Sequence, residues 1–148
     1  MKNQGLKVVE AEKVNIHPFP EPKGWRTWLR AFKMQMISLS GRPAALVLRW
    51  VEEMLRAESW EDIPHRPSFD VFEHKLLMAF QHKLRENPEI NRSRGGAINL
   101  IQAELFKKYE ALYGRQYGWL IFQDYKWSDE LDAIADWKEL YNLKMKPG

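Results

Sequence analysis

Cysteine is absent from this chain, and no stretch of it stays apolar for long. Without cysteine there is no disulfide framework, no thiolate zinc site and no cysteine nucleophile. No run approaches the roughly 18 apolar residues of a membrane-spanning helix. The first residues, MKNQGLKVVEAEKVN, contain no apolar core of signal-peptide length. We therefore expect a soluble, cytoplasmic protein that does not enter the membrane.

Motifs of enzyme chemistry are also lacking. The sequence contains no GxSxG elbow, no Walker loop, no dinucleotide fingerprint and no HExxH zinc helix. Glu73 and His74 are adjacent, but neighbouring residues of a helix point about 100° apart, so they make a poor acid–base pair. We predict that the chain is not an enzyme and that it uses no metal, cofactor or small-molecule substrate.

What the chain does contain is a large apolar and aromatic fraction. Of its 148 residues, 45% are hydrophobic and 13% aromatic, with seven tryptophans, which is typical of one folded domain. Residues 1–18 show no helical periodicity and are predicted to form a loosely ordered N-terminal arm. Residues 19–148 are predicted to form one compact, all-α bundle of about six helices, with no β alternation beyond LKVV near the start.

The first three predicted helices follow the proline-rich stretch HPFPEP, which favours an extended entry because each proline disfavours a helical residue before it. Helix 1 is predicted from Lys23 to Ser40, where apolar residues recur on one face, and Gly41 ends it. Pro43 suits the first turn of helix 2. Ser68 is a plausible N-cap for helix 3.

The second half of the chain is predicted to contain three more helices. Residues 85–96, RENPEINRSRGG, are interpreted as a polar loop. Helix 4 is expected to end near Gly114, and a short helix 5 is weakened by Gly118 by about 1 kcal/mol. Helix 6 is predicted from Ser128, an N-cap followed by two acids, to about Leu143. The predicted core residues are Trp25, Trp28, Trp50, Phe72, Leu105 and Trp119, with Trp28 and Trp50 placed where helices 1 and 2 cross.

Charge is distributed unevenly along the chain. Residues 22–51 contain six basic side chains and no acid, whereas residues 124–139 contain six acids against two lysines. On an ideal wheel, Lys23, Arg30 and Lys33 lie within about 60° of Arg26, so these four basic residues share one edge of helix 1. Met34 and Ile37 fall on that same side, where an ordinary surface helix would be polar. Two explanations stay open: a second packing contact within the monomer, or a contact between molecules.

Four stretches, in this order and spacing, carry a resemblance. HPFPEPKGWRTWLRAF, SGRPAALVLRWVEEM, GRQYGWLIFQDYKW and LDAIADWKELYNLKMK resemble the Gag region of copia-type LTR retrotransposon polyproteins over about residues 14–146. The resemblance implies a retroviral or retrotransposon capsid N-terminal-domain-like fold, which self-assembles into a shell around element RNA. By this resemblance the chain looks like the N-terminal half of such a capsid protein, and it contains no CCHC zinc knuckle, so we expect only weak, non-specific RNA binding.

Three functional hypotheses follow from these observations. The first is a self-assembly domain whose contact residues are Arg26, Arg30, Lys33, Met34 and Ile37, with the acidic segment 129–139 of a neighbouring copy as their partner. The second is a non-specific RNA-binding module. The third is a domesticated Gag-like adaptor that binds a peptide in a groove between helices. The candidate RNA contacts are Lys23, Arg26, Arg30, Arg42, Arg92 and Arg94.

Overall fold

The structure is a computed structural model that describes residues 9–145, without the side chains of 128–137, 139–140 and 143–145. The described part contains five helices of 12 to 32 residues and no β-strand, so the predicted all-α class is confirmed. The helices are α1 (Trp25–Ser40), α2 (Ala44–Arg56), α3 (Asp70–Glu86), α4 (Gly96–Lys107) and α5 (Gly114–Met145). Short helical turns cover Pro22–Gly24, Trp60–Asp62, Pro67–Phe69, Pro88–Ile90 and Asn91–Gly95.

The fifth and sixth predicted helices are one continuous helix, α5, so the expected count of six is corrected to five. Ser128 does not start a new helix, because α5 runs through it. An amide within a helix donates to the carbonyl one turn earlier, so no capping side chain is needed at this position. Gly118 is tolerated within the helix because the absence of a side chain lets Phe80 of α3 pack directly against its backbone. A Cβ there would lie 2.6 Å from Cε2 of Phe80, so close packing of α3 on α5 compensates for the helix propensity that glycine lacks.

The segment predicted as a polar loop, residues 85–96, is mostly helical. The side chain of Asn87 accepts a hydrogen bond of 3.1 Å from the amide of Ile90, which caps the turn Pro88–Ile90. A five-residue π turn then leads into α4. Burial of Ile90 and Ile98 holds this polar stretch against the core, and that tertiary contact overrides its loop-like composition.

Two predicted helix ends are also corrected. Gly114 begins α5 rather than ending helix 4, which stops at Lys107. Ser68 does not cap α3; it lies within the turn Pro67–Phe69 and makes no capping hydrogen bond, while its carbonyl accepts a bond from Arg42. The turn Pro67–Phe69 leads directly into α3, so no side-chain cap is formed at the start of this helix.

Helices α1 and α2 form an antiparallel hairpin through a three-residue connection. Gly41 adopts a left-handed conformation with φ of 68°, which glycine reaches without strain. A Cβ at this position would lie 2.2 Å from the carbonyl oxygen of Val9, so the N-terminal segment passes directly over the turn. Close packing of the N-terminal segment on the hairpin therefore depends on glycine at position 41.

The core is built around two separate groups of aromatic rings. Trp25 and Trp28 belong to the first, between α1 and α5, where both rings contact Phe122. Trp50 belongs to the second, between α2 and α3, and stacks on Phe69 with ring centroids 4.6 Å apart. The buried tryptophans Trp28 and Trp50 therefore do not meet at the α1–α2 crossing as predicted, because each faces a different third helix.

The remaining predicted core residues differ in burial. Phe72 is completely buried on α3, whereas Leu105 and Trp119 are only half-buried and pack against the edge of the core. The indole nitrogen of Trp119 donates a 3.0 Å hydrogen bond to the carbonyl of Ala57. An amphipathic indole at the core boundary satisfies its polar atom in this way.

Residues 9–18, the described part of the predicted arm, carry no helix and run along α1 and α3. Val14 and Ile16 are buried, and the amide of Ala11 donates to the carbonyl of Leu39 over 2.9 Å. Lys75 of α3 holds the same segment by contacting Glu10 and the Ala11 carbonyl, both at 2.8 Å. This segment is therefore anchored at both its apolar and its polar groups.

Candidate assembly surface

The outer side of α1 carries the residues that the sequence indicates for assembly. Burial of Trp25, Trp28 and the residues in register with them fixes the inner side of the helix. Arg26, Arg30 and Met34 follow one another at four-residue intervals, so they form one row along the helix, and all three are exposed. We call this row the α1 ridge. Met34 is 63% exposed, so the ridge presents one large apolar side chain beside two basic ones.

Lys33 and Ile37 lie beside the ridge, on the side of α2. The Nζ of Lys33 is 3.0 Å from Oε1 of Glu52, and Ile37 is half-buried and packs against the core. Of the two explanations left open by the sequence, the structure therefore supports a packing contact within the monomer for Ile37. Met34 has no such burial. Arg26 is exposed and interacts with another group of the chain.

An exposed leucine of α2 extends this surface, and sequence analysis did not single it out. Leu48 precedes Glu52 by one turn, so both lie on the same side of α2, and Glu52 reaches across to α1. Leu48 is 37% exposed. The signal was present in the run Leu46–Val47–Leu48, because three successive apolar residues cannot all face the core from one helix.

The described side chains in the second half of α5 are exposed. Buried side chains extend from the start of this helix to Tyr125; beyond it, every described side chain, including those of Trp127 and Tyr141, is exposed. We call residues 126–145 the α5 extension, which at 1.5 Å per residue is about 30 Å long. Most side chains of the predicted acidic partner segment, 129–139, lie outside the described residues.

The candidate RNA contacts do not share one environment. Lys23, Arg30 and Arg92 are exposed. Arg94 is paired with Asp124, its Nη2 lying 2.6 Å from Oδ1 of that residue, so its charge is already compensated. The ion pair with Asp124 therefore lowers the positive charge that Arg94 could offer to RNA.

Arg42 is not available to RNA, which corrects the prediction for this residue. Its side chain is 8% exposed and donates to a carboxylate oxygen of Glu10 at 2.9 Å and to the carbonyl of Ser68 at 2.7 Å. Its guanidinium carbon also lies 4.5 Å from the ring centroid of Phe69. A guanidinium with these contacts joins the N-terminal segment, the α1–α2 turn and the start of α3, and little of it is exposed to a phosphate in solvent.

Arg115 makes the densest set of polar contacts in the described chain, and sequence analysis did not identify it. Its side chain is completely buried. Nε donates to Oε2 of Glu73 at 2.7 Å, Nη1 donates to the carbonyl of Trp50 and to Glu53 at 3.0 Å each, and Nη2 donates to the carbonyl of Pro64 at 2.6 Å. One side chain thereby connects α2, α3, the loop between them and α5.

The acids around Arg115 respond to burial and to hydrogen bonding. Burial raises the pKa of Glu73, against the opposing attraction of Arg115. Burial also acts to raise the pKa of Glu53, but hydrogen bonds from Arg66 and Arg115 outweigh it and hold that pKa below its usual value. The cluster has no opening for a substrate, since Arg115 has no exposed surface, and we interpret it as structural.

Searches of the described residues for a metal site and for a membrane span are both negative. No three histidine, aspartate or glutamate side chains there are grouped so as to hold a metal ion. No helix within the described range is long and apolar enough to cross a membrane. Comparison with known proteins finds no family model, no curated protein and no solved structure that matches the chain.

Proposed function

We propose that this chain is the self-assembly domain of a Gag-like capsid protein, in which the α1 ridge of one copy contacts the α5 extension of the next. The observation that carries the proposal is Met34, a large apolar side chain exposed in a row of positive charge. The resemblance to copia-type Gag sequences supports a capsid-like arrangement of the helices and a shell that packages RNA.

Charge complementarity favours a second copy of this chain as the partner of the ridge. The ridge contributes Arg30 and Arg26, whereas residues 128–139 of the α5 extension contain five acids and only one lysine. A contact between two different faces of identical subunits is heterologous, and it closes into a ring or continues into a lattice. Both results are ways of building a shell from one kind of subunit.

Apolar contact has to supply most of the binding free energy. Exposed ion pairs contribute only about 0–1 kcal/mol each, so the arginines mainly steer the approach of the acidic helix. Burying a side chain such as that of Met34 contributes about 1.5–3 kcal/mol. Trp127 of the extension, 62% exposed, offers a second and larger apolar side chain to the same contact.

The adaptor hypothesis requires an open apolar groove in the monomer. Such a groove exists beside Trp119, between α1, α2 and α5, but its volume is about 140 Å³. Peptide and ligand sites are usually larger, at about 300–1,000 Å³. This groove is therefore too small to favour the adaptor, and the larger cleft of ≈ 320 Å³ lies between the N-terminal segment and α3 rather than between two helices.

The test uses two variants that each block one side of the contact. Met34→Asp blocks the ridge and Trp127→Asp blocks the extension; both replace exposed side chains, so we expect unchanged circular dichroism. Nuclease-treated protein is measured by light scattering over a range of concentrations. We expect each variant alone to be monomeric, and an equimolar mixture to form a dimer through the one ridge and one extension that remain intact.

A matched control separates this interface from a general effect of a new charge. Met78→Asp changes the same residue type, at 51% exposure, on a different helix, and should associate like the parent chain. Arg30→Glu should slow association and alter its salt dependence without abolishing it. If Met34→Asp assembles like the parent, or the mixture stays monomeric, the proposed contact is wrong.

A further inference from the structure

A cleft lies between the extended N-terminal segment and α3, and none of its lining residues belongs to the α1 ridge. Its volume is ≈ 320 Å³, and it is bordered by residues 12–16 on one side and by residues of α3 from His74 to Arg85 on the other. The α3 residues 74, 78, 82 and 85 recur every three or four positions, so they share one face of the helix. We call this feature the α3 cleft.

The cleft is preformed, because contacts within the chain hold the N-terminal segment that forms one of its walls. Lys75 bonds to both Glu10 and the carbonyl of Ala11, and Ala11 bonds to the end of α1. Val14 and Ile16 of the same wall are buried. A ligand would therefore bind without the cost of ordering this segment, which favours affinity.

The lining combines an apolar floor with a basic rim. Val14, Ile16 and Ala79 are buried at its base, and Met78 is exposed beside them. The rim carries one acid, Glu12, and is otherwise basic or neutral; its basic side chains are Lys13, His74, Lys75, His82, Lys83 and Arg85.

Of the lysines and arginines of this rim, two are already paired and two are not. Lys75 contacts Glu10 and Lys83 contacts Glu86 at 3.0 Å. Within the described chain neither Lys13 nor Arg85 is paired with a carboxylate, and both are exposed. Two positive charges at the rim are therefore available to an anion.

We propose that the α3 cleft binds a nucleotide unit, with its phosphate on Lys13 and Arg85 and its base against Met78 and the apolar floor. Arginine and lysine are the usual phosphate ligands, and an arginine fork can donate two hydrogen bonds to one phosphate. A thioether makes favourable contacts with aromatic rings, which suits a flat base. The volume is at the lower end of the range for small-ligand sites, enough for one nucleotide unit.

A nucleotide explains the lining better than a simple anion does. Inorganic phosphate would use the rim and leave the apolar floor and Met78 in contact with water. A wholly apolar ligand would leave the unpaired cations unused. The same nucleotide chemistry is presented by a free mononucleotide and by one unit of a single-stranded RNA, and the length dependence of binding distinguishes these two sources.

The test measures binding of AMP, adenosine, inorganic phosphate and an oligoadenylate of ten nucleotides to the nuclease-treated chain by calorimetry. We expect AMP to bind more tightly than adenosine or phosphate. Tighter binding of the oligonucleotide, with a log–log salt slope of about −0.7 per phosphate contacted, identifies RNA as the source. Equal affinity identifies the free nucleotide.

Variants then locate the ligand. Arg85→Ala and Lys13→Ala should each weaken binding by at least about tenfold, the lower end of the range for a hydrogen bond to a charged group. Glu12→Gln should strengthen binding, because it removes the one acid from the rim. Met78→Asp should abolish it.

Matched controls come from exposed residues elsewhere on the chain. Arg49→Ala and Met34→Asp, both outside the cleft, should leave affinity unchanged, which also keeps this result separate from assembly. Absence of binding by both AMP and the oligonucleotide would refute the proposal. Binding that the Arg85, Lys13 and Met78 variants do not alter would refute it equally, since the ligand would then lie elsewhere.

Discussion

Replacing Arg115 is predicted to cost more stability than replacing any exposed arginine. In Arg115→Met the apolar stem is kept, but four side-chain hydrogen bonds are lost. Glu73, 4% exposed, is left as a buried charge without its partner. Removing one member of a buried ion pair typically costs about 3–5 kcal/mol, out of a total stability of about 5–15 kcal/mol for such a domain.

Two further variants divide this cost into its parts. Arg115→Lys keeps a positive charge near Glu73, but a single ammonium cannot reach acceptors on three elements, so we expect a loss of about 1–3 kcal/mol from acceptors left unpaired. In Arg115→Met combined with Glu73→Leu no carboxylate remains at position 73. The double variant should therefore be less destabilised than the sum of the single variants by at least about 1 kcal/mol.

The assay is urea unfolding followed by tryptophan fluorescence and circular dichroism at neutral pH. Arg92→Met is the matched control, because Arg92 is exposed and its replacement should change stability by no more than about 0.5 kcal/mol. The deficit of Arg115→Met should shrink as the pH falls, since protonated Glu73 carries no buried charge. The reasoning fails if Arg115→Met matches the control, or if the Arg115 and Glu73 effects simply add.

Two other stability predictions follow from the same contacts. Hydrogen bonds from basic partners lower the folded-state pKa of Glu10 and Glu53 below the ordinary 4.5, although burial opposes this; the unfolded chain therefore binds more protons near that pH. Their stabilising contribution is complete above about pH 4.5 and is lost as the pH falls through their folded-state pKa values, so Glu10→Gln should flatten the acid limb of a plot of urea midpoint against pH. An unchanged acid limb would contradict the assignment of Glu10. Trp28→Ala and Trp50→Ala should each cost about 3–5 kcal/mol in urea unfolding, because each ring is buried in an aromatic group of its own; an unchanged midpoint for either variant would show that its ring does not stabilise the core.

The sequence alone determined the helical class and the course of the first helix. The spacing of Trp25, Trp28 and Phe32 predicted an inner face that the structure buries, and the predicted end at Ser40 is the observed one. These features are local: helical periodicity and the glycine that ends a helix operate within a few residues of chain. The exposure of Met34 could be predicted for the same reason, since a position on the wheel follows from the helix itself.

Only the tertiary structure decided the fate of residues whose partners are remote in sequence. Arg115 meets Glu73 across 42 residues and Trp50 across 65, and no local pattern marks it as buried. Arg42 seemed a surface cation until the chain brought Glu10 and Ser68 to it. The α3 cleft likewise joins residues 12–16 to residues 74–85. Burial and ion pairing depend on which segments pack together, and packing is a property of the whole fold, whereas helix formation is largely decided segment by segment.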